Sequence, residues 1–257
     1  YMGEGIIFFL LIGAGAIFLY RAVKKQLQLS EQQKNFMMAV THELKTPIAV
    51  TKLNLETLQK RKLDELQQHR LLQLALDETN RMNALCNNLL LSSQMESGKY
   101  TVSTESVALR DSIQEIIRDF MNRFPDRKII AEELASASIQ TDIFLLQILV
   151  HNLLHNAHKY SPKEEPIEVS VRCIDNQAIL SIKDKGKGIP KNEQSHIFEK
   201  FYRVDASTQK QVKGTGLGLY IAKRITDLIE AQIMLEENIP TGCIFSVRFT
   251  LDQTHVG

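Results

Sequence analysis

Apolar positions divide the chain into three regimes. From Ile6 to Tyr20 they are nearly continuous and uncharged, and extended to Val23 the run approaches the roughly 20 residues that cross about 30 Å of hydrocarbon. A buried core helix and a signal peptide are the competing readings, the second because Gly13 to Ala16 can resemble a cleavage site. A signal peptide carries positive charge ahead of its apolar run, whereas here Glu4 precedes it and Arg21, Lys24 and Lys25 follow. That order predicts an uncleaved membrane span with its C-terminal side in the cytoplasm. Residue 1 is Tyr1, so a sensing region upstream of it is expected.

The second regime runs from Gln26 to Gln94, where Pro47 is the only proline, glycine is absent and helix formers dominate. Phe36, Val40, Leu44, Ile48, Leu55 and Leu58 form one stripe at helical spacing. Leu72, Leu76, Thr79, Met82, Cys86, Leu89 and Leu90 form a second. Two antiparallel helices joined near Arg61 to Leu66 follow. A lone hairpin with one apolar stripe has little to bury, so a homodimer closing a four-helix bundle is expected.

Ser97-Gly98-Lys99 closes this region with a glycine just past a helix end. Beyond it, helical patterns (109–120, 142–160, 217–230) alternate with strand patterns (167–173, 178–183, 243–251). The predicted architecture is a transmembrane helix, an all-α dimerisation hairpin and an α+β sandwich with helices on one face of a mostly antiparallel sheet. The expected divisions are a membrane segment over 1–23, a helical linker over 24–35, the hairpin over 36–97 and a catalytic domain over 98–257.

Composition changes this picture little. With 31 basic and 30 acidic side chains the net charge is +1, so no global field recruits nucleic acid, and none is expected as a partner. Cys86, Cys173 and Cys243 are far apart and odd in number, which argues against a disulfide framework or a zinc cluster.

Four segments carry chemistry. In Thr41-His42-Glu43-Leu44-Lys45-Thr46-Pro47, Glu43 can reach the imidazole of His42, and Thr46 lies one helical turn further on nearly the same face. A carboxylate there fixes the tautomer and raises the nucleophilicity of the free ring nitrogen. Pro47 cannot donate to the carbonyl of Glu43, so a bend is expected. A surface histidine on a kinked helix is the competing reading.

In the second segment, Asn152 and Asn156 project from one helical face, with Lys159 and Tyr160 one turn further on. Two amides, an ammonium and an aromatic ring suit a hard cation with phosphates and a base beside it. His151 and His155 have the spacing of a zinc-binding helix, but no glutamate takes the H-E-x-x-H position and no third ligand is evident.

The third segment, Asp184-Lys185-Gly186-Lys187-Gly188, follows a strand; its carboxylate can accept an adenine amine while the glycines admit the ring. The fourth, Gly214-Thr215-Gly216-Leu217-Gly218, opens a helix and turns backbone N–H groups toward an anion. Its spacing is not that of a Walker loop, and no Rossmann strand immediately precedes it. Between them, Phe198 to Arg203 and the polar stretch 204–213 look like an anchored lid, from which Arg203 can reach a phosphate.

Taken in this order, the segments resemble the HisKA-type histidine kinases, whose ATP-binding domain belongs to the GHKL (Bergerat-fold) group. The resemblance spans about Gln28 to Leu251. It implies that His42 is phosphorylated by ATP, that Glu43 is the base and that Thr46 positions water for dephosphorylating a response-regulator receiver domain. By the same likeness Asn156 is the Mg²⁺ ligand, supported by Asn152. Lys159 and Arg203 contact phosphates, Tyr160 stacks near adenine and Asp184 holds its amine. Gly186, Gly188, Gly214, Thr215, Gly216, Leu217 and Gly218 shape the pocket and lid. It further implies a protein of the bacterial inner membrane with its catalytic region in the cytoplasm, anchored in lipid by the N-terminal helix.

Overall fold

The computed structural model describes residues 2–204 and 215–252, with the side chains of residues 2–4, 6 and 8 excluded. The helix-forming composition that starts the chain produces one unbroken helix, α1 (Met2–Lys60), which runs through Pro47 as a single element. After a short turn, Asp64 caps α2 (Glu65–Glu96) by accepting from the N–H of Gln67 at 2.7 Å. The two helices pack as a hairpin, burying Val40 of α1 and Ala75 of α2.

Among the described residues, no helix is long and apolar enough to cross a membrane. The expected transmembrane helix is therefore not borne out as such: the run 6–23 forms the start of α1, and two of its apolar side chains, Ile6 and Phe8, lie outside the described set. The described ones, among them Phe9, Leu10, Leu11 and Phe18, are exposed.

The remainder is a two-layer sandwich. Its elements are β1 (Glu105–Ala108), α3 (Leu109–Arg123), β2 (Ile129–Leu134), β3 (Ser138–Thr141), α4 (Ile143–Tyr160), β4 (Ile167–Ile174), β5 (Gln177–Lys183), α5 (Gly218–Leu228), β6 (Gln232–Glu237) and β7 (Cys243–Thr250). β2, β4, β5, β7 and β6 lie in that order in one sheet, with only β2–β4 parallel, while β1 and β3 pair separately. Alternation in β4, β5 and β7 sends Val169, Val171, Leu180, Ile182, Phe245 and Val247 into the core. The opposite face carries polar pairs instead, Lys183 with Glu168 at 2.8 Å and Ser181 with Ser246 at 2.9 Å.

α3, α4 and α5 cover the apolar face. Ile113, Ile116, Ile117 and Phe120 repeat at helical spacing on α3, and Leu146, Leu149, Leu153 and Leu154 are fully buried on α4. Leu91 and Met95 from the end of α2 enter this same core, and Phe36 of α1 packs against it, so the hairpin is fastened to the sandwich.

Candidate functional site

α4 is clamped at both ends. Asp142 caps its start, accepting from the N–H of Leu145 at 3.1 Å and, on its other oxygen, from Ser103 N at 2.9 Å and the Tyr100 hydroxyl at 3.2 Å. At its C-terminal end lies Arg127, only 3% exposed. Its guanidinium donates to the carbonyls of His158 (2.6 Å), Ser161 (3.0 Å), Pro162 (2.6 Å) and Glu165 (3.1 Å) and to His158 Nδ1 (3.1 Å). The His158 carbonyl lies in the last turn of α4, where it would otherwise be an orphan, and a cation there also suits the helix dipole.

This fixed helix presents Asn152, Asn156, Lys159 and Tyr160 to a cleft of about 560 Å³, a size that admits a nucleotide. Asp184, Gly186, Gly188, Arg203, Thr215, Gly216, Leu217 and Gly218 line the same cleft, so eleven of the segments' expected ligand positions besides Asn156 converge there. Gly214 lies outside the described residues, as does most of the expected lid. Asn152 donates from Nδ2 to the carbonyl of Ile148 at 2.9 Å. Its oxygen faces Gly218, where an added Cβ would meet it at 3.2 Å. Asn156 has no hydrogen-bond partner among the described residues, which leaves its amide oxygen for a ligand. Lys159 Nζ stands 4.7 Å above the Tyr160 ring.

Asp184 is 3% exposed. Its Oδ1 accepts from Gly186 N at 2.7 Å and Cys243 N at 3.3 Å, and Oδ2 is unengaged by the described residues. Burial pushes its carboxyl above the ordinary range, against the pull of those two N–H groups and of Arg127. Two glycines are required by close approach. At Gly216, with φ +72°, a Cβ would lie 2.8 Å from the backbone of Phe201 and Tyr202; at Gly242, with φ +119°, it would run into the Asp184 carbonyl. The first turn of α5 has no side-chain cap, so its N–H groups open toward the cleft.

The hairpin contributes the far wall through Glu43, Arg81, Asn87, Asn88 and Leu91. His42 is exposed and is not part of this wall, and Thr46 is likewise outside it. Thr46 donates to the carbonyl of His42 at 3.2 Å. Glu43 is held by Arg81 of α2 at 2.9 Å, so the structure does not join it to the imidazole in the way the sequence suggests. Arg81 was not foreseen as a site residue, because only the hairpin's register brings it opposite Glu43. His151, His155 and His158 do not converge on a metal; among the described residues no group of His, Cys, Asp or Glu is arranged to hold one. They pack instead with Phe120 and Phe124. Burial, with His158, Lys159, Arg123 and Arg81 adding positive charge, pushes His155 down to about 4.

A second contact ties hairpin to sandwich. Phe36 stacks on Phe201 with centroids 3.8 Å apart and planes 20° apart. At the end of α2, Glu96 Oε1 pairs with Lys200 at 2.6 Å and accepts from the Tyr220 hydroxyl at 2.9 Å. Phe201 adopts φ +70°, a costly conformation for a bulky residue.

A helical hairpin fastened to a sandwich with a nucleotide-sized, cation-lined cleft defines the class. Comparison with known proteins makes it specific. Residues 141–254 match the family described as histidine kinase-, DNA gyrase B-, and HSP90-like ATPase, and residues 32–98 match the His Kinase A (phospho-acceptor) domain. Sensor protein CiaH of Streptococcus pneumoniae serotype 4 is 29% identical over 256 residues, covering 95% of this chain and 55% of that protein. The signal transduction histidine-protein kinase ArlS of Staphylococcus aureus is 31% identical over 221 residues, covering 85% of this chain and 49% of that protein. The chain thus spans about half the length of these relatives. In fold it is similar to the histidine kinase AdeS of Acinetobacter baumannii, with TM-score 0.60 and 22% identity over 82% of this chain and 98% of that one. The mycobacterial sensor histidine kinase MprB gives TM-score 0.51 and 27% identity over 58% of this chain and 98% of that one. The chain belongs to the sensor histidine kinase family, joining a His Kinase A region to a GHKL-type ATPase domain.

Proposed function

We propose that this chain binds ATP in the α4–α5 cleft, transfers its γ-phosphoryl group to His42 and passes it on to an aspartate of a response-regulator receiver domain. The observation that carries this reading is the shared cleft: nucleotide-type residues from Asn152 to Gly218 and Glu43, the neighbour of His42, line one cavity. Asp184 Oδ2 accepts the adenine amine, and Tyr160 flanks the ring. Lys159, Arg203 and the open first turn of α5 offset phosphate charge. Asn156, with its amide oxygen uncommitted, fits a Mg²⁺ ligand; when bound, Mg²⁺ supplies charge neutralisation to the phosphates.

For transfer, neutral His42 attacks through Nε2 while Glu43 takes the Nδ1 proton, and ADP leaves with the electrons of the broken P–O bond. In this arrangement His42 is outside the cleft, so transfer requires either that α1 turn or that a second copy present its histidine. Thr46 is the residue for positioning water in the separate phosphatase reaction, hydrolysis of the phosphorylated receiver aspartate. The exposed apolar start of α1 supports an anchor in the bacterial inner membrane, with the sandwich in the cytoplasm. Incubation with γ-labelled ATP tests the proposal: His42→Gln should bind nucleotide normally and take up no acid-labile label, and label persisting in that variant would sink it.

A further inference from the structure

We propose that Arg81 is a γ-phosphate-contacting residue supplied by the hairpin, whose guanidinium passes from Glu43 to the nucleotide and so frees Glu43 to act as base. The inference rests on the kinase reading above. Arg81 lines the cleft beside Glu43, on the wall facing α4. Its Nη2 donates to Glu43 Oε2 at 2.9 Å, while Nη1 is 3.9 Å from Glu78 Oε2. The Glu43 side chain is 11% exposed against 44% for Arg81, so the acid is covered and the guanidinium keeps an open edge. Arg81 is also felt across the cleft, where its charge acts on His155 of α4, the helix that carries Asn152, Asn156 and Lys159.

A guanidinium has five N–H donors in a rigid fork. One close bond to a single carboxylate oxygen leaves most of them unused. A terminal phosphoryl group carries more charge and more acceptor oxygens than a carboxylate, and it accepts the fork in bidentate fashion. Nucleotide in the cleft therefore competes with Glu43 for Arg81. The exchange matters because the Glu43 oxygen that Arg81 holds at 2.9 Å is occupied and not open to take a proton.

With Arg81 on the γ-phosphate, the Nε2 lone pair of His42 forms the N–P bond and the bond to the β-phosphate oxygen breaks with its electrons going to ADP. The Nδ1 proton passes to the released Glu43 carboxylate. Arg81 neither gives nor takes a proton. Its position also ties base release to the presence of the third phosphate, since ADP offers it nothing to grip.

The test compares calorimetric affinities of the full chain for Mg-ADP and for a non-hydrolysable imido analogue of Mg-ATP. Arg81→Ala should weaken the ATP analogue about tenfold and leave ADP within about twofold, with Arg81→Lys recovering part of the loss. Glu43→Gln removes the competitor and should tighten the ATP analogue relative to ADP, a gain that a folding defect cannot produce. Parallel changes for both nucleotides, or an unchanged ratio in all three variants, would make the pair a mere tether between α1 and α2 and overturn the proposal. Failure of the kinase reading shows separately, as label surviving His42→Gln in an otherwise wild-type chain.

Discussion

Asp184 sets binding against stability within a single residue. Burial raises its carboxyl above the unfolded value, so it favours the folded chain below the ordinary carboxylate range and loses that contribution as pH rises through the raised value. At neutral pH the ionised group is a net cost unless a ligand uses it. Asp184→Asn keeps an oxygen for the N–H groups of Gly186 and Cys243, so it should be about 1 kcal/mol more stable in urea at pH 7 while ATP affinity falls at least about tenfold. Its advantage should shrink as the pH is lowered through that raised value and be gone by pH ~4, where both side chains are neutral. Residues of this kind were legible because a carboxylate before two glycines is a local signal. Gly242 and Arg81 were not, since their demands come from the Asp184 carbonyl and the Glu43 carboxylate, groups brought near only by sheet pairing and hairpin register.

Among elements, periodicity identified the long helices and β4, β5 and β7 to within a few residues, because their apolar residues recur at helical or strand spacing, most regularly in β4 and β5. β1, β2, β3 and β6 escaped it. β1 and β3 have four residues each, β2 shifts register between Ala131 and Leu134, and Gln232–Glu237 buries only Ile233. Arg127 was equally silent in the sequence, although it closes the end of α4. Arg127→Ala strands the carbonyls of His158, Ser161 and Glu165 and should cost about 3 kcal/mol in denaturant unfolding, with Mg-ATP affinity weakened as Lys159 and Tyr160 loosen. Leu72, Leu76 and Leu90 of the expected second stripe stay exposed, at 48%, 57% and 62%, because the intrachain contact uses the other face of α2. Light scattering should give a dimer for the native chain, and Leu72→Glu with Leu76→Glu should give a monomer with ATP binding intact.

Across the whole molecule, the hairpin and the sandwich are joined at Phe36–Phe201 and at Glu96 with Lys200 and Tyr220, both beside the segment leading to the lid. Phe36 braces the ring of Phe201, whose backbone is left-handed and whose N–H donates to the Gly216 carbonyl at 3.2 Å, so removing Phe36 should loosen this junction. Phe36→Ala should raise the initial rate of His42 labelling several-fold with ATP affinity unchanged. An unchanged rate would make the stack simple packing.

The unbroken helix that carries these positions behaves like a camshaft. Its 59 residues make a rod about 88 Å long at 1.5 Å per residue. Phe36 and His42 are six residues apart on it, which sets their directions about 120° from each other. While one lobe bears on the sandwich the other points away, so a torque applied at the far end engages one as it lifts the other, with no flexible joint in between.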